Sequence, residues 1–130
     1  MSKTKTRLEK FQEYVEKCNE LRNLTPHDVV ILASNNTTLK YEPYGTTVRI
    51  PTTFTSISQY MDIEITRKAF KKEGVILPEF EDGVLNIVST IVAQYVAENQ
   101  PERVDFITIG KVIRDEAGHI EGIKNFGFIE

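Results

Sequence analysis

The sequence contains few of the residues from which disulfides and metal sites are built. It has one cysteine, Cys18, two histidines and no tryptophan among its 130 residues. One cysteine cannot close an intramolecular disulfide, so the sequence predicts a protein of the reducing cytoplasm. The two histidines are far apart and, with a single cysteine, do not give the ligand spacing of a zinc site. The sequence therefore predicts neither a metal nor a cofactor.

Long apolar runs and an excess of basic residues are also missing. No run approaches the ~20 residues that a transmembrane helix needs, and the basic start leads into an amphipathic segment instead of a signal-peptide core. The formal net charge is -3, whereas domains that bind long nucleic acid are usually basic. We therefore expect no membrane and no long nucleic acid among the partners of this chain.

An amphipathic segment is present near the N-terminus. Apolar residues recur there at gaps of three and four: Leu8, Phe11, Val15 and Cys18. This pattern predicts a helix over residues 3 to 23, ending before Pro26, which disfavours helical dihedral angles in the residue preceding it. The stripe covers about two heptads. It either mediates self-association or packs on the sheet of its own subunit. We divide the chain into an oligomerisation helix, 1–23, and a β-rich ligand-binding domain, 24–130.

After Pro26 the apolar pattern changes to the period of two that is typical of strands. Three strands of a meander are predicted, over residues 28–33, 38–42 and 46–50. The segment 54–66 is rich in Ile, Thr, Tyr and Phe, and is either one long strand or a hairpin broken near Ser58-Gln59. Residues 68–78 are predicted to form a solvated loop.

The last third of the chain predicts a strand, a helix and a second strand. Residues 84–88 are the first strand, and Ser89 is well suited to cap a helix over 90–99. Pro101 ends the helical region, and residues 103–109 form the second strand.

A tight hairpin follows, with arms over 110–114 and 120–123. The spacing of Asp115 and Gly118 suits a type I turn followed by a glycine bulge. The fold class predicted from these elements is α+β, with a mostly antiparallel β-sheet, an N-terminal amphipathic helix and one internal helix.

The sequence contains no recognisable catalytic arrangement. There is no Gly-x-Ser-x-Gly elbow, no glycine-rich loop leads into a helix, and neither histidine lies in a known motif. We predict no catalytic residue and a protein that is not an enzyme.

The sequence supports binding of a small anionic ligand better than it supports catalysis. A nucleotide site needs arginine, a stacking aromatic and a few amide groups. Arg114 lies beside Asp115 at the end of the predicted hairpin, where a guanidinium can fork onto a phosphate. The alternative for Asp115 is to bond the backbone of its own turn. The alternative for Arg114 is a surface pair with Glu121 across the hairpin, at ~0.5 kcal/mol.

Further candidates lie elsewhere in the chain. Arg49 and Arg67 are the other arginines considered, and the stacking candidates are Phe54, Phe80, Tyr44 and Tyr60. Asn86 is a polar amide inside an apolar strand, so it must be satisfied by a neighbouring backbone group or by a ligand.

Several segments carry a resemblance to a known family: Leu24-Thr-Pro-His27 with Val29-Val-Ile31, Pro-x-Gly-x-x-x-Arg from Pro43 to Arg49, Gly83 to Ala93, Pro101-Glu-Arg-Val-Asp105, and Val112-Ile-Arg-Asp-Glu-Ala-Gly-His-Ile-Glu-Gly122. Together they resemble the Thoeris anti-defence proteins of the first type, a family of small bacteriophage proteins. The likeness covers about residues 24 to 123, and the last segment is its most specific part.

This resemblance implies a sponge that sequesters, without cleaving them, the cyclic ADP-ribose isomers made by bacterial TIR-domain defence proteins. The location implied is the cytoplasm of an infected bacterial cell. The protomer is implied to be β-rich and to form a homo-oligomer, a dimer or a trimer of dimers. Uptake of cyclic trinucleotides at a separate site is also implied, and no residue of this chain is assigned to that site.

By the same likeness Arg114 and Asp115 match the C-terminal ligand contacts of the family. Gln94 or Asn86 supplies the polar group near the internal helix, and Phe80 supplies the aromatic ahead of it. The chain departs from the family pattern in a longer segment at 94–100 and in its leading helix.

Two functions of other classes are alternatives. One is an enzyme that degrades the same signal, which needs a general acid or base that the sequence does not reveal. The other is a phage interaction protein that binds no ligand and assembles through its N-terminal helix.

Overall fold

The computed structural model describes residues 5–32 and 37–130. Within these ranges it contains two α-helices, a short 3-10 helix and ten strands. In chain order they are α1 (Arg7–Val15), β1 (Glu20–Asn23), β2 (Val29–Leu32), β3 (Thr38–Tyr41), β4 (Thr52–Tyr60), β5 (Ile63–Phe70), the 3-10 helix (Lys72–Gly74), β6 (Val84–Ile87), α2 (Thr90–Asn99), β7 (Phe106–Ile109), β8 (Val112–Arg114), β9 (Ile120–Ile123) and β10 (Phe126–Gly127).

Two four-stranded sheets, ordered β1-β6-β7-β10 and β3-β2-β9-β8, form the body of the fold. Residues from both sheets share one apolar cluster, which α1 joins through Tyr14: Val29, Ile31, Leu85, Ile87, Ile107 and Ile123. A second cluster joins β6 and β7 to α2: Leu24, Val48, Val88, Val92, Ala93, Val96 and Phe106. The central strands β6 and β7 are therefore covered on both faces, which explains their nearly continuous apolar sequences.

The predicted α+β class, with one N-terminal and one internal helix, is confirmed. In the described chain four strand pairings are antiparallel, namely β2/β3, β4/β5, β7/β10 and β8/β9. Three are parallel, namely β1/β6, β6/β7 and β2/β9. The sheets are thus mixed. Helix α2 forms the crossover that a parallel pair such as β6/β7 requires.

The N-terminal helix is shorter than predicted. It begins after Thr6, whose side chain accepts a hydrogen bond from the amide N–H of Glu9, and it ends at Val15. Residues 20–23 are not helical but form β1, with Glu20 opposite Val84 of β6. The helix predicted for residues 20–23 is wrong. The apolar spacing there suits a helix, but hydrogen bonding to the buried strand β6 stabilises the extended conformation more. The predicted first residues, 3 and 4, lie outside the described residues.

Helix α1 packs against its own subunit. Phe11 stacks on Phe128 with ring centroids 4.0 Å apart. The buried Tyr14 hydroxyl donates to the carbonyl of Val84 at 2.6 Å, and the amide N–H of Val84 donates back to it at 3.1 Å. Burial raises the pKa of Tyr14 to about 12, so the phenol stays protonated at neutral pH. Of the two expectations for the apolar stripe, these contacts support packing within the subunit. The oligomerisation role and the division at residue 23 stay predictions.

Two of the three predicted meander strands are present, as β2 and β3. The end of the first and the turn between them fall largely on residues 33–36, outside the described ranges. The predicted strand over 46–50 is wrong, since no described strand includes these residues. The segment is held instead by the side chain of Val48, which is buried against α2. Gly45, with φ of 110°, turns the chain toward α2.

Residues 52–70 form a hairpin, which was one of the two predicted alternatives. The turn lies at Met61 and Asp62, both with positive φ (50° and 63°), as a type I′ turn requires. It does not lie near Ser58-Gln59, where the register shifts between Ser56 and Ser58 instead. Strand β5 also takes in residues 68–70, which were predicted as loop. Within the described chain this hairpin pairs with no other strand.

The predicted strand, helix and hairpin of the last third are present. The Ser89 hydroxyl accepts from the amide N–H of Val92 and caps α2. Gly118 has φ of 86°, and its amide N–H donates to the Asp115 carbonyl to close the turn between β8 and β9. Neither α1 nor α2 has the length and hydropathy to cross a membrane, and no other helix of the described residues does.

A buried ion pair lies where β7 begins. Asp105 is fully buried, and both of its carboxylate oxygens accept from the guanidinium of Arg103, at 2.9 and 2.8 Å. The amide group of Asn86 donates to the same carboxylate at 3.1 Å. Arg103 also donates to the carbonyl of Pro78 at 3.0 Å. Because every charge here is paired and hydrogen bonded, the cost of taking the charges out of water is offset.

Removing Asp105 should therefore destabilise the fold strongly. We expect Asp105→Ala to lower the free energy of unfolding by about 3–5 kcal/mol, since it leaves the largely buried Arg103 guanidinium without its carboxylate partner. The matched control is Glu13→Ala, which removes the carboxylate of an exposed ion pair with Lys5 and should cost less than about 1 kcal/mol. Urea unfolding measures both; equal losses would contradict this account of the ion pair.

Candidate ligand-binding cleft

The predicted Arg114–Asp115 pair is engaged with its own hairpin. Nη1 of Arg114 donates to the carbonyl of Gly118 at 2.8 Å, and the side chain is exposed. Asp115 accepts from the amide N–H of His119 at 2.9 Å, and its other oxygen lies 3.6 Å from Nδ1 of the same histidine. This backbone contact is the alternative expected for Asp115. The expected Arg114–Glu121 pair is absent from the described ion pairs, and its place is taken by the turn carbonyl.

Asn86 and Phe80 lie together in a different place, around the buried ion pair. Asn86 is satisfied by the carboxylate of Asp105, a side chain, whereas the sequence left a backbone group or a ligand as the choices. Phe80 is half exposed, with its ring 5.6 Å from the Tyr14 ring and 5.9 Å from the Arg103 guanidinium. Both residues help to fix the start of β6 and β7.

Arg49 and Gln94 do come together, along the first turns of α2. A cleft of about 370 Å³, which we call the basic cleft, has among its lining residues Thr47, Arg49, Thr52, Lys68, Phe70 and Ser89. A smaller hollow of about 180 Å³ continues along α2 past Gln94 and Tyr95. Ile50, Phe70 and Ile91 border both. One arginine, one aromatic ring and one amide are therefore placed along one groove.

The guanidinium of Arg49 is available to a ligand. Its side chain forms no hydrogen bond or ion pair within the described residues, and Arg67 shares this property. The other four arginines are engaged with backbone carbonyls or carboxylates: Arg7, Arg22, Arg103 and Arg114. Lys68 adds a second cation to the cleft, with its ammonium 5.8 Å from the centre of the Phe70 ring. Two cations in a concave surface favour an anion.

The N-terminus of α2 adds to this positive potential. The amide N–H groups of Thr90 and Ile91 donate to no acceptor in the described chain, since Ser89 caps Val92. Unpaired N–H groups at a helix start attract an anion, and the helix dipole adds to the effect. Ser89 and Ile91 line the basic cleft, so this end of the helix borders the same space as Arg49 and Lys68.

A second, larger hollow adjoins the basic cleft. This apolar cavity has a volume of about 530 Å³ and is walled mainly by Val29, Val88, Ile109, Val112, Ile120 and Ile123. Thr25, Pro26 and Ser89 border both hollows. Asp28 and Glu121 line the apolar cavity, and no lysine or arginine of the described chain does. It lies at the carboxyl ends of the parallel strands β6 and β7, where open sheets commonly bind ligands.

The wall between the two hollows is shaped by Asn23, which the sequence analysis missed. Asn23 is almost fully buried. Its side-chain amide group donates to the carbonyls of His27 at 2.6 Å and Tyr41 at 3.0 Å, and its oxygen accepts from the amide N–H and the hydroxyl of Thr25 at 3.0 and 2.6 Å. The available signal was an asparagine three residues before Pro26, a residue type that often bonds its own turn backbone.

Lys68 and Phe70 were also missed as functional residues. The lysines around them predict a solvated loop at this point of the sequence. They reach the cleft because β5 runs back along β4, with Thr52 opposite Phe70 and Phe54 opposite Lys68. A hairpin turn built from Met61 and Asp62, without glycine, gave little signal for this register.

Comparison with known proteins gives no match: no protein-family model, no curated protein and no solved structure matches this chain. The cleft and the motif resemblance are therefore the two observations that bear on function.

Arg49 should carry the anion binding of the cleft. We expect Arg49→Ala to weaken the binding of inorganic pyrophosphate at least about 10-fold, since a charged hydrogen bond contributes about 1.5–3 kcal/mol. Arg67→Ala is the matched control, because it removes an arginine that is equally unengaged but lies outside the cleft lining. Isothermal titration calorimetry measures both. Equal weakening by the two variants would show diffuse charge attraction instead of a site.

Proposed function

We propose that this protein binds a small phosphate-bearing nucleotide in the basic cleft and sequesters it without cleaving it. The observation that carries the proposal is the meeting of an unengaged arginine, a lysine, an aromatic ring and a helix N-terminus at one cleft beside an apolar cavity. The motif resemblance supports a signal of the glycocyclic ADP-ribose class, made by bacterial TIR-domain defence proteins. The protein then acts in the cytoplasm of an infected bacterium.

The phosphates belong in the basic cleft. Arg49 can present two parallel N–H donors to a phosphate, and Lys68 can add a point charge beside it. The free N–H groups at the start of α2 supply further donors of fixed orientation. This arrangement differs from the one implied by the resemblance, in which Arg114 and Asp115 make the ligand contacts.

The base and the riboses suit the remaining surfaces. Phe70 is about half exposed in the cleft and offers a face for stacking an adenine. The apolar cavity next to it can take up sugar and base surface, and the carboxylates of Asp28 and Glu121 can accept hydrogen bonds from ribose hydroxyls. The Glu121 carboxylate repels phosphate, whereas the charge of Asp28 is partly balanced by its ion pair with Lys40, so the charge distribution favours a nucleotide with its phosphates toward Arg49.

Sequestration requires tight binding more than it requires chemistry. A nanomolar dissociation constant corresponds to about -12 kcal/mol. Arginine and lysine contacts, stacking and apolar burial can together supply that much if the site is formed before the ligand arrives. Lys68 and Phe70 lie on strand β5 and Ile91 lies on helix α2, and the segment that carries Arg49 is anchored in the core by Val48, which favours such a preformed site. We further propose that the protein forms a homo-oligomer and takes up cyclic trinucleotides as a second ligand class, both on the strength of the resemblance.

Heat release of a captured ligand tests this function. We expect a cyclic ADP-ribose isomer to disappear from the filtrate when it is mixed with the protein, and to return chemically intact after the protein is denatured at high temperature. Altered products would identify a degrading enzyme, and an unchanged filtrate would identify an interaction protein without this ligand. Liquid chromatography with mass spectrometry distinguishes the three outcomes.

Two variants locate the captured ligand. We expect Arg49→Ala to lose most of the retention and Arg114→Ala to keep it, because Arg114 is already bonded to the Gly118 carbonyl. Loss of retention in Arg114→Ala with retention kept in Arg49→Ala would move the site to the hairpin turn.

A further inference from the structure

The β4–β5 hairpin carries a second aromatic ring, Phe54, on the side that faces the basic cleft. The strand register places Thr52 opposite Phe70 and Phe54 opposite Lys68. Residues that lie opposite each other, or two apart along one strand, point to the same side of the pair. Because Thr52, Lys68 and Phe70 line the basic cleft, Phe54 also points to the cleft side. We call the side that carries these four residues the inner face.

Phe54 lies at the edge of the cleft. It is two residues beyond Thr52, about 7 Å along the strand at about 3.4 Å per residue. In an antiparallel pair the Cβ atoms of opposite residues are about 4.5–5.5 Å apart, and diagonal neighbours are about 7–8 Å apart. Phe54 is therefore next to Lys68 and within reach of Phe70. The two rings and the ammonium group form one row on the inner face.

The ring of Phe54 is available to a ligand. It is 65% exposed, and it makes no ring stacking or cation–π contact within the described residues. A single exposed apolar side chain is common on protein surfaces. Phe54 differs from such a residue because its neighbours on the inner face line a cleft that contains two cations. An exposed ring beside cations is the arrangement on which nucleotide bases stack.

Phe70 by itself offers a base less surface. Its ring is 48% exposed, less than that of Phe54. The ammonium of Lys68 lies 5.8 Å from the centre of the Phe70 ring, so part of the space near this ring is already occupied. A base that extends outward from the cleft along the inner face meets Phe54 next, since Phe54 is the diagonal neighbour of Phe70.

We propose that Phe54 is a further ligand-binding residue and that, together with Phe70, it makes the site select phosphates that carry an aromatic base over phosphates that carry none. The phosphate binds to Arg49 and Lys68, and the base contacts the two rings on the inner face. This inference rests on the proposed function, because it requires the basic cleft to bind phosphate. It adds that the contribution of the hairpin ring depends on the base, whereas Arg49 acts on every phosphate ligand.

Two ligands that share a diphosphate isolate the contribution of the ring. ADP carries a base and pyrophosphate carries none. We expect the wild-type chain to bind ADP at least about fivefold more tightly than pyrophosphate. Phe54→Ala should weaken ADP binding at least about fivefold and change pyrophosphate binding less than about twofold, because only ADP can stack on the ring. Isothermal titration calorimetry measures all four dissociation constants.

Tyr60→Ala is the matched control. Tyr60 lies on the same strand and is 67% exposed. It is opposite Ile63, which is an odd number of residues from Lys68 on β5, so Tyr60 points away from the inner face. Its removal should change ADP binding less than about twofold. Phe54→Tyr keeps an aromatic ring and should bind ADP within about twofold of the wild-type affinity. Circular dichroism checks that the variants keep the fold.

The outcomes separate this inference from the proposed function. Equal affinity of the wild-type chain for ADP and pyrophosphate, or equal effects of Phe54→Ala on the two ligands, would overturn the role of Phe54 and leave the phosphate site in place. A loss of ADP affinity in Tyr60→Ala as large as that in Phe54→Ala would do the same. Failure of the wild-type chain to bind either ligand would overturn the phosphate-binding cleft and this inference with it.

Discussion

The buried pair of Arg103 and Asp105 is the interaction on which the rest of the fold depends. Its carboxylate fixes β6 through Asn86, and its guanidinium reaches the loop before β6 through the Pro78 carbonyl. The backbone carbonyl of Arg103 in turn accepts from Arg7, which attaches α1 to the same point. Rings of Phe80 and Phe106 lie at 5.9 and 4.9 Å from the guanidinium. A charge in this place can be kept only if all these elements are in position, so the pair selects one arrangement of the sheets.

A nucleotide site needs both cations and apolar surface, and each of the two hollows near the start of α2 supplies one of them. Arg49 and Lys68 line the basic cleft, whereas the apolar cavity has mainly apolar walls and two carboxylates. The division arises because three separate segments meet at Ser89: the turn after β1, the extended stretch around Val48, and the end of β5. Asn23 holds the first of these, and Val48 anchors the second in the core. None of the three is close to another in the sequence, so the cleft is a product of tertiary structure.

The sequence allowed the fold class and the last third of the chain to be predicted, because Ser89, Gly118 and the apolar runs carry local signals that the tertiary structure respects. It misplaced residues 20–23, where a helical apolar period was outweighed by pairing with β6. Arg49 and Gln94, two of the residues chosen from the sequence, come to one groove in the fold, whereas Lys68 and Phe70 could not be chosen because their position depends on a hairpin register. Arg114 and Asp115 were chosen for their adjacency at the end of a hairpin and for their match to the family's ligand contacts. In the structure both side chains make hydrogen bonds within their own turn.

The contact between Arg7 and the carbonyl of Ile129 joins residues 122 positions apart, and the pairing of β2 with β9 places Ile31 opposite Ile123, which is also remote in the sequence. Such remote pairings slow folding. At about 5–20 residues per second, a ribosome needs about 7 to 26 s for 130 residues. The contacts of the β4–β5 hairpin are local, so the hairpin can form during that interval. The two sheets cannot be completed until β8, β9 and β10 have been synthesised. The growing chain thus exposes the apolar side chains of the β4–β5 hairpin before the two sheets are complete. We therefore expect chaperones to bind the chain during its synthesis.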